Sequence, residues 1–291
     1  MRFKQFVSEV ERDFYNKVTQ FDIQDGIEAI SYECGPFFTA TGAIPLYRGM
    51  KMSDDTNKTI QAHEHPHDRV AKDSGAEFNF IFNAGIEAAF GIKDIRKHTL
   101  FCIGDHRHAG EFGKIFYVFP KEHFKFLWSQ DVHDSYNNDY VIYGALQKHL
   151  ARNGVRLGNE TKLVDVLKRS TVHHMPPSEF LHNPAKAAPI IAATLKAYEP
   201  IGLKTLSDDK DYYDAFIKSL KSAFSELYTD DNLAAAIESD HEILIYDSEG
   251  YYTADASRII NYVKQQPNTK EGAYSLEGAY GYLLDEIYKV K

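Results

Sequence analysis

The chain has 291 residues, 43% of them apolar and 13% aromatic, enough for one large core or two ordinary ones, which excludes wholesale disorder. Its 33 Lys and Arg stand against 42 Asp and Glu, and the formal charge of −9 argues against nucleic acid as a partner except through a local basic patch. Two cysteines, Cys34 and Cys102, cannot build a disulfide framework and point to a reducing, cytoplasmic setting, while no window approaches the ~20 apolar residues of a membrane span and no unbroken apolar leader opens the chain.

Phe3, Phe6, Val7, Val10, Phe14 and Val18 recur at helical spacing and predict an amphipathic helix over 3–21. Ile44–Tyr47 reads as a short strand with Arg48-Gly49 at its end. Residues 53–76, polar and carrying three histidines, read as one long loop. Glu77–Phe90 places Phe78, Ile81, Phe82, Ile86, Ala89 and Phe90 on one broad face and predicts a helix; Ser74 and Glu77 have capping-box spacing, and Gly91 stops it. The apolar runs 99–103 and 115–119 read as buried strands, and 124–128 as a third. From 136 to 238 the pattern is mostly helical, over 140–153, 160–169, 211–228 and 232–238, with a proline-containing connector over 173–189. Glu242–Tyr246 is then a strand, Ser248-Glu249-Gly250 a turn, and Tyr251–Ala254 its hairpin partner. Two helical pieces from Ser257, broken near Gln266-Pro267, end the chain.

Three segments stand out for chemistry. The first is Leu46-Tyr47-Arg48-Gly49. The second is Leu100-Phe101-Cys102-Ile103-Gly104-Asp105, followed by Ala109, Phe112 and the strand 115–119. The third is Asp240-His241-Glu242-Ile243-Leu244-Ile245. Their order resembles the arginine–serine–glutamate branch of the ADP-ribosyltransferase superfamily, over residues 44–120 and 238–255. The Leu46–Gly49 start is also similar to that of bacteriophage proteins.

The resemblance implies an α+β fold, an ADP-ribosyltransferase-like split antiparallel sheet. It would comprise an N-terminal helix in 1–30, a first part of the domain in 31–135, a helical insertion in 136–236, and the last strands and C-terminal helices in 237–291. It implies NAD as a substrate, no metal, and transfer of ADP-ribose to a macromolecular acceptor with release of nicotinamide, protein being favoured over nucleic acid and no membrane being involved. Arg48 would hold the NAD diphosphate or adenine ribose, since a guanidinium offers paired planar donors to phosphate oxygens. Glu242 would stabilise the oxocarbenium-like transition state as nicotinamide leaves. Asp240, two residues earlier and on the same face of a continuous strand, would orient the acceptor. Tyr47, Gly49, Phe101 and Cys102 complete the NAD-binding set, with Tyr47, Phe101 and Tyr117 as candidate stacking rings.

The chain departs from the family pattern at two places. Cys102-Ile103-Gly104 stands where Ser-Thr-Ser is expected, and more than a hundred residues separate the second motif from the third. Two rivals therefore remain open: a non-catalytic binding or virion structural protein on the same fold, and a metal-dependent hydrolase using His63, His65 and His67, which alternate as ligands on one strand face would. His106 and His108 form a second such pair. The polar surroundings of the first group favour a solvated loop, and Cys102, within an apolar run, reads as a small buried hydrophobe before a nucleophile.

Overall fold

The computed structural model describes residues 18–42, 44–51, 59–67, 74–135, 137–158, 160–200, 206–267 and 269–290. Within them the chain order is β1 (Thr19–Phe21), α1 (Ile23–Glu33), α2 (Gly35–Thr41), β2 (Tyr47–Met50), β3 (Ile60–Glu64), α3 (Ala76–Phe90), β4 (Leu100–Ile103), α4 (His106–Glu111), β5 (Lys114–Pro120) and β6 (Lys125–Trp128). There follow α5 (Asp139–Arg152), α6 (Leu163–Lys168), α7 (Pro177–His182), α8 (Pro184–Lys196), α9 (Asp209–Leu227), α10 (Leu233–Glu238), β7 (Glu242–Tyr246), β8 (Gly250–Asp255), α11 (Ala256–Gln265) and α12 (Leu276–Val290). The protein is thus α+β. Its eight strands form one open antiparallel sheet in the order β1-β3-β8-β5-β2-β4-β7-β6.

These described residues fall into two compact units. The first, within 1–68, 98–130 and 230–291, holds the whole sheet with α1, α2, α4 and α10–α12. Its central strands are buried on both faces, which is why β5 and β7 read as continuous apolar runs and not as alternating ones. The second, within 69–97 and 131–229, is helical and holds α3 and α5–α9. There Phe82, Phe180 and Phe224 pack edge-on against neighbouring rings, and the buried Arg96 guanidinium lies 5.3 Å from the Phe78 ring. No described helix is long and apolar enough to cross a membrane.

Several local expectations need correction. Of the helix expected over 3–21, residues 3–17 lie outside the described residues, and Thr19–Phe21 is a strand paired with Ile60–Ala62. The polar stretch 53–76 contains β3, whose backbone pairs with β8 over five residues, Ile60↔Ala254 to Glu64↔Gly250. Strand pairing there comes from a partner nearly two hundred residues away, and no local pattern announces it. The capping box at α3 is absent. Gly75 is the N-cap, and the Ser74 hydroxyl turns to Asn79 Oδ1 at 2.7 Å. Gly91 does close that helix in the left-handed conformation, φ 75°. The connector over 173–189 holds α7 and the start of α8, because Pro177 and Pro184 each sit at a first helical position, where a missing N–H costs nothing.

Candidate functional site

The three motif segments lie on neighbouring strands. β2 carries Tyr47, Arg48 and Gly49; β4 carries Phe101 and Cys102; β7 opens with Glu242. β4 and β7 pair over four residues, with Ile103 opposite Glu242, whereas β2 and β4 share a single registered pair, Tyr47↔Ile103. Every other neighbouring pair of strands is registered over at least three residues. The sheet therefore parts between β2 and β4.

Arg48 sits at that parting. Its Nη1 donates to the Phe101 carbonyl at 3.2 Å, taking the place of a ladder hydrogen bond where the two strands separate. Side chains alternate along a strand, so Tyr47, Ile103 and Glu242 share one row and one face, and Arg48 leaves from the other. Arg48 is half-buried, and its charge extends to His63.

Other candidates take more structural places. Tyr47 is 2% exposed, and its ring packs against Tyr117 at 5.7 Å and His106 at 5.9 Å. Tyr117 is wholly buried, stands 5.3 Å from the Tyr280 ring and donates its hydroxyl to the Leu276 carbonyl at 2.6 Å. Of the three candidate stacking rings, only Phe101 is half-buried and not fully buried. A Cβ on Gly49 would lie 1.9 Å from the Ala109 carbonyl oxygen, so this glycine admits α4 to the sheet. Cys102 is buried inside β4 and in no disulfide, as its apolar surroundings suggested.

Asp240 requires a correction. It is exposed, has φ 60°, and lies in the turn between α10 and β7, two residues before the strand begins. Strand alternation with Glu242 does not apply to it. The left-handed turn, in which aspartate is one of the better tolerated residues, sets its direction instead.

The histidines separate. His63, on β3, stacks on Tyr251 at 4.8 Å and shares a hydrogen bond with Thr253 Oγ1 at 2.8 Å. His65 Nε2 donates to the His98 carbonyl at 2.5 Å, and His67 is exposed. His106 and His108 lie on α4, not on an extended segment; Asp105 caps that helix by accepting from the Arg107 N–H at 2.8 Å, a signal the sequence did contain. No group of three His, Cys, Asp or Glu suited to a metal occurs among the described residues.

Burial first, and the Arg48 charge second, lower the His63 pKa from 6.5 to about 4. On acidification the unfolded chain binds this proton before the folded one does. The associated stability is intact above pH 6.5 and is lost progressively toward pH 4, to a total of about 3 kcal/mol. Urea unfolding midpoints are expected to fall between pH 7 and pH 4.5 in the wild type, and to fall less in His63→Gln. Equal slopes in the two proteins would count against this assignment.

Two candidates have surroundings that sequence reasoning did not foresee. His106 Nδ1 lies 3.5 Å from Glu277 Oε1, and the Tyr47 hydroxyl is buried with no hydrogen-bond partner among the described residues. Burial, then the charges of Glu277 and Asp105, push the Tyr47 pKa up and keep the phenol protonated. Glu277 belongs to α12, and nothing in the sequence links it to His106 or Tyr47, so far earlier in the chain. Set against protein-family models, curated proteins and solved structures, the chain matches none.

Proposed function

We propose that the protein transfers ADP-ribose from NAD to a macromolecular acceptor, itself a protein, on an ADP-ribosyltransferase-like split sheet into which residues 136–236 are inserted. One observation carries this: the segments around Arg48, Phe101 and Glu242, distant in the chain, are the consecutive strands β2-β4-β7, and the sheet parts between the first two. In this scheme Arg48, on the face opposite Glu242, binds the NAD diphosphate through the split between β2 and β4. Phe101 supplies a half-buried ring. The bond from the ribose C1′ to the nicotinamide nitrogen breaks, its electron pair neutralising the pyridinium. The Glu242 carboxylate stabilises the positive charge that develops on the ribose until the acceptor bonds to C1′. NAD enters as a substrate, which fits a cytoplasmic setting, and the likeness of Leu46–Gly49 to bacteriophage proteins fits that of a host cell.

A binding protein without chemistry is the second reading. It is favoured by Ile103, an apolar residue, standing opposite Glu242 where a hydroxyl would support the carboxylate. The two separate on nicotinamide release from NAD, measured by chromatography with cell lysate as the acceptor source. Release by the wild type is expected, and Arg48→Ala is expected to raise the KM for NAD about tenfold or more, since a charge-assisted hydrogen bond contributes about 1.5–3 kcal/mol. No release, together with no rise in melting temperature on adding NAD, would leave the binding protein.

A further inference from the structure

Transfer to an acceptor requires a group that takes the acceptor's proton. Asp240, expected to orient the acceptor, sits in an exposed left-handed turn off the strand and lacks the face shared with Glu242 on which that expectation rested. Another group is better placed. His106 opens α4 directly after the Gly104-Asp105 end of the second motif, and its ring touches that of Tyr47. Tyr47 in turn lies in the ladder row Glu242–Ile103–Tyr47 and on the Glu242 face of the sheet. Ile103 stands between Tyr47 and Glu242 in that row, so the two polar groups flank one buried apolar side chain at the end of β4.

Two observations point to a ligand there. The imidazole is partly exposed, at 30%, and Glu277 Oε1 stands 3.5 Å from its Nδ1, so the carboxylate is on the Nδ1 side and Nε2 is the nitrogen not engaged by Glu277. The Tyr47 hydroxyl, on a side chain 2% exposed, has no hydrogen-bond partner among the described residues. A buried donor left unsatisfied is costly, and one polar atom placed beside it would remove that cost. A protonated phenol and a basic imidazole nitrogen side by side offer one donor and one acceptor, which are the two partners a single hydroxyl group needs. A guanidinium or ammonium, having only donors, would leave the Tyr47 hydroxyl unsatisfied.

We infer that His106, held by Glu277, is the general base for a protein hydroxyl acceptor, with the Tyr47 hydroxyl donating to the same oxygen. This rests on the NAD chemistry proposed above. In the step, the acceptor oxygen bonds to C1′ as the bond to nicotinamide breaks, its proton passes to His106 Nε2, and the electron pair of the broken bond goes to the nicotinamide nitrogen. The acidic surroundings of Asp105, Glu242 and Glu277, on a chain of net charge −9, disfavour an RNA hydroxyl flanked by phosphates and favour a Ser, Thr or Tyr side chain.

The test uses the full chain, NAD and synthetic peptides of one scaffold in which Ser, Tyr or Arg is the only nucleophile, with a short single-stranded RNA alongside and products weighed by mass spectrometry. Modification of a hydroxyl peptide but not of the Arg peptide or the RNA is expected. His106→Ala is expected to lower kcat for transfer about 100-fold with the KM for NAD unchanged, and added imidazole to restore part of the loss. Tyr47→Phe, which keeps the ring and removes only the unsatisfied hydroxyl, is expected to fold at least as stably and to raise the KM for the peptide. If nicotinamide release depends on Glu242 while His106→Ala and Tyr47→Phe both transfer at the wild-type rate, or if only the Arg peptide or the RNA is modified, this inference falls and the NAD chemistry stands. If the wild type releases no nicotinamide, both fall together.

Discussion

Glutamine in place of Glu242 is expected to slow nicotinamide release from NAD about 1000-fold while leaving the melting temperature and the KM for NAD nearly unchanged. The substitution keeps the shape of the side chain at the start of β7 and removes only its charge. A fixed carboxylate beside a ribose that becomes cationic acts on the transition state far more than on the ground state. Loss of one such preorganised group typically costs a factor of 100 to 1000. The anchor proposed for NAD is Arg48, one strand beyond β4, so binding should survive. Initial rates at saturating NAD decide the matter. A Glu242→Gln protein as fast as the wild type would remove the catalytic role of this residue, whatever the protein binds.

Alanine in place of Gly104 is expected to destabilise the sheet-bearing unit by about 3 kcal/mol, seen as a lower urea midpoint with an unchanged slope. A Cβ there would lie 1.6 Å from the Ile237 carbonyl oxygen and 2.6 Å from its carbon. Backbone atoms of α10 cannot rotate aside as a side chain can, and the Ile237 carbonyl also accepts from the Asp240 N–H at 3.4 Å. Either α10 moves off the end of β4 or the turn into β7 opens, and both disturb the approach to Glu242. Gly144, mid-helix in α5, is the control. A Cβ there meets nothing within 4 Å, so Gly144→Ala should be neutral or stabilising by about 0.5–1 kcal/mol. Two equally mild substitutions would mean that α10 is free to shift.

β4, β5 and β7 were legible because their residues are apolar in short continuous runs, Leu100–Ile103, Lys114–Pro120 and Glu242–Tyr246, each coinciding with an expected strand, whereas β2, expected over Ile44–Tyr47, runs over Tyr47–Met50 and includes Arg48 and Gly49. The long amphipathic helices were legible for a parallel reason, their periodicity surviving over three turns or more, as in Asp139–Arg152 and Asp209–Leu227. β1 and β3 were not. Thr19–Phe21 and Ile60–Glu64 are short, polar and stabilised by partners remote in sequence, so their local pattern carries little information. α7 and α8 were hidden by prolines read as breakers, although proline at a first helical position begins a helix. At the candidate site, the order of the motifs pointed to three segments that prove to lie on the neighbouring strands β2, β4 and β7, but not to which side chains meet. The nearness of His106, Tyr47 and Glu277 depends on α12 returning to the sheet, and the left-handed backbone of Asp240 has no periodic signature.

The strand order also dictates when the protein can assemble. β8 lies between β3 and β5, so β1 and β3 join the rest of the sheet only through residues 250–255 near the chain's end. During synthesis the edges of β3 and β5 wait, unpaired, while the helical segment and then β7 emerge from the ribosome. Open strand edges of that kind invite association with other chains, and pairings between segments so distant in sequence form slowly. A chain truncated before Gly250 should therefore accumulate as aggregate even though its helical unit is complete. Chaperone demand in the cell would then be set by the wait for one six-residue strand.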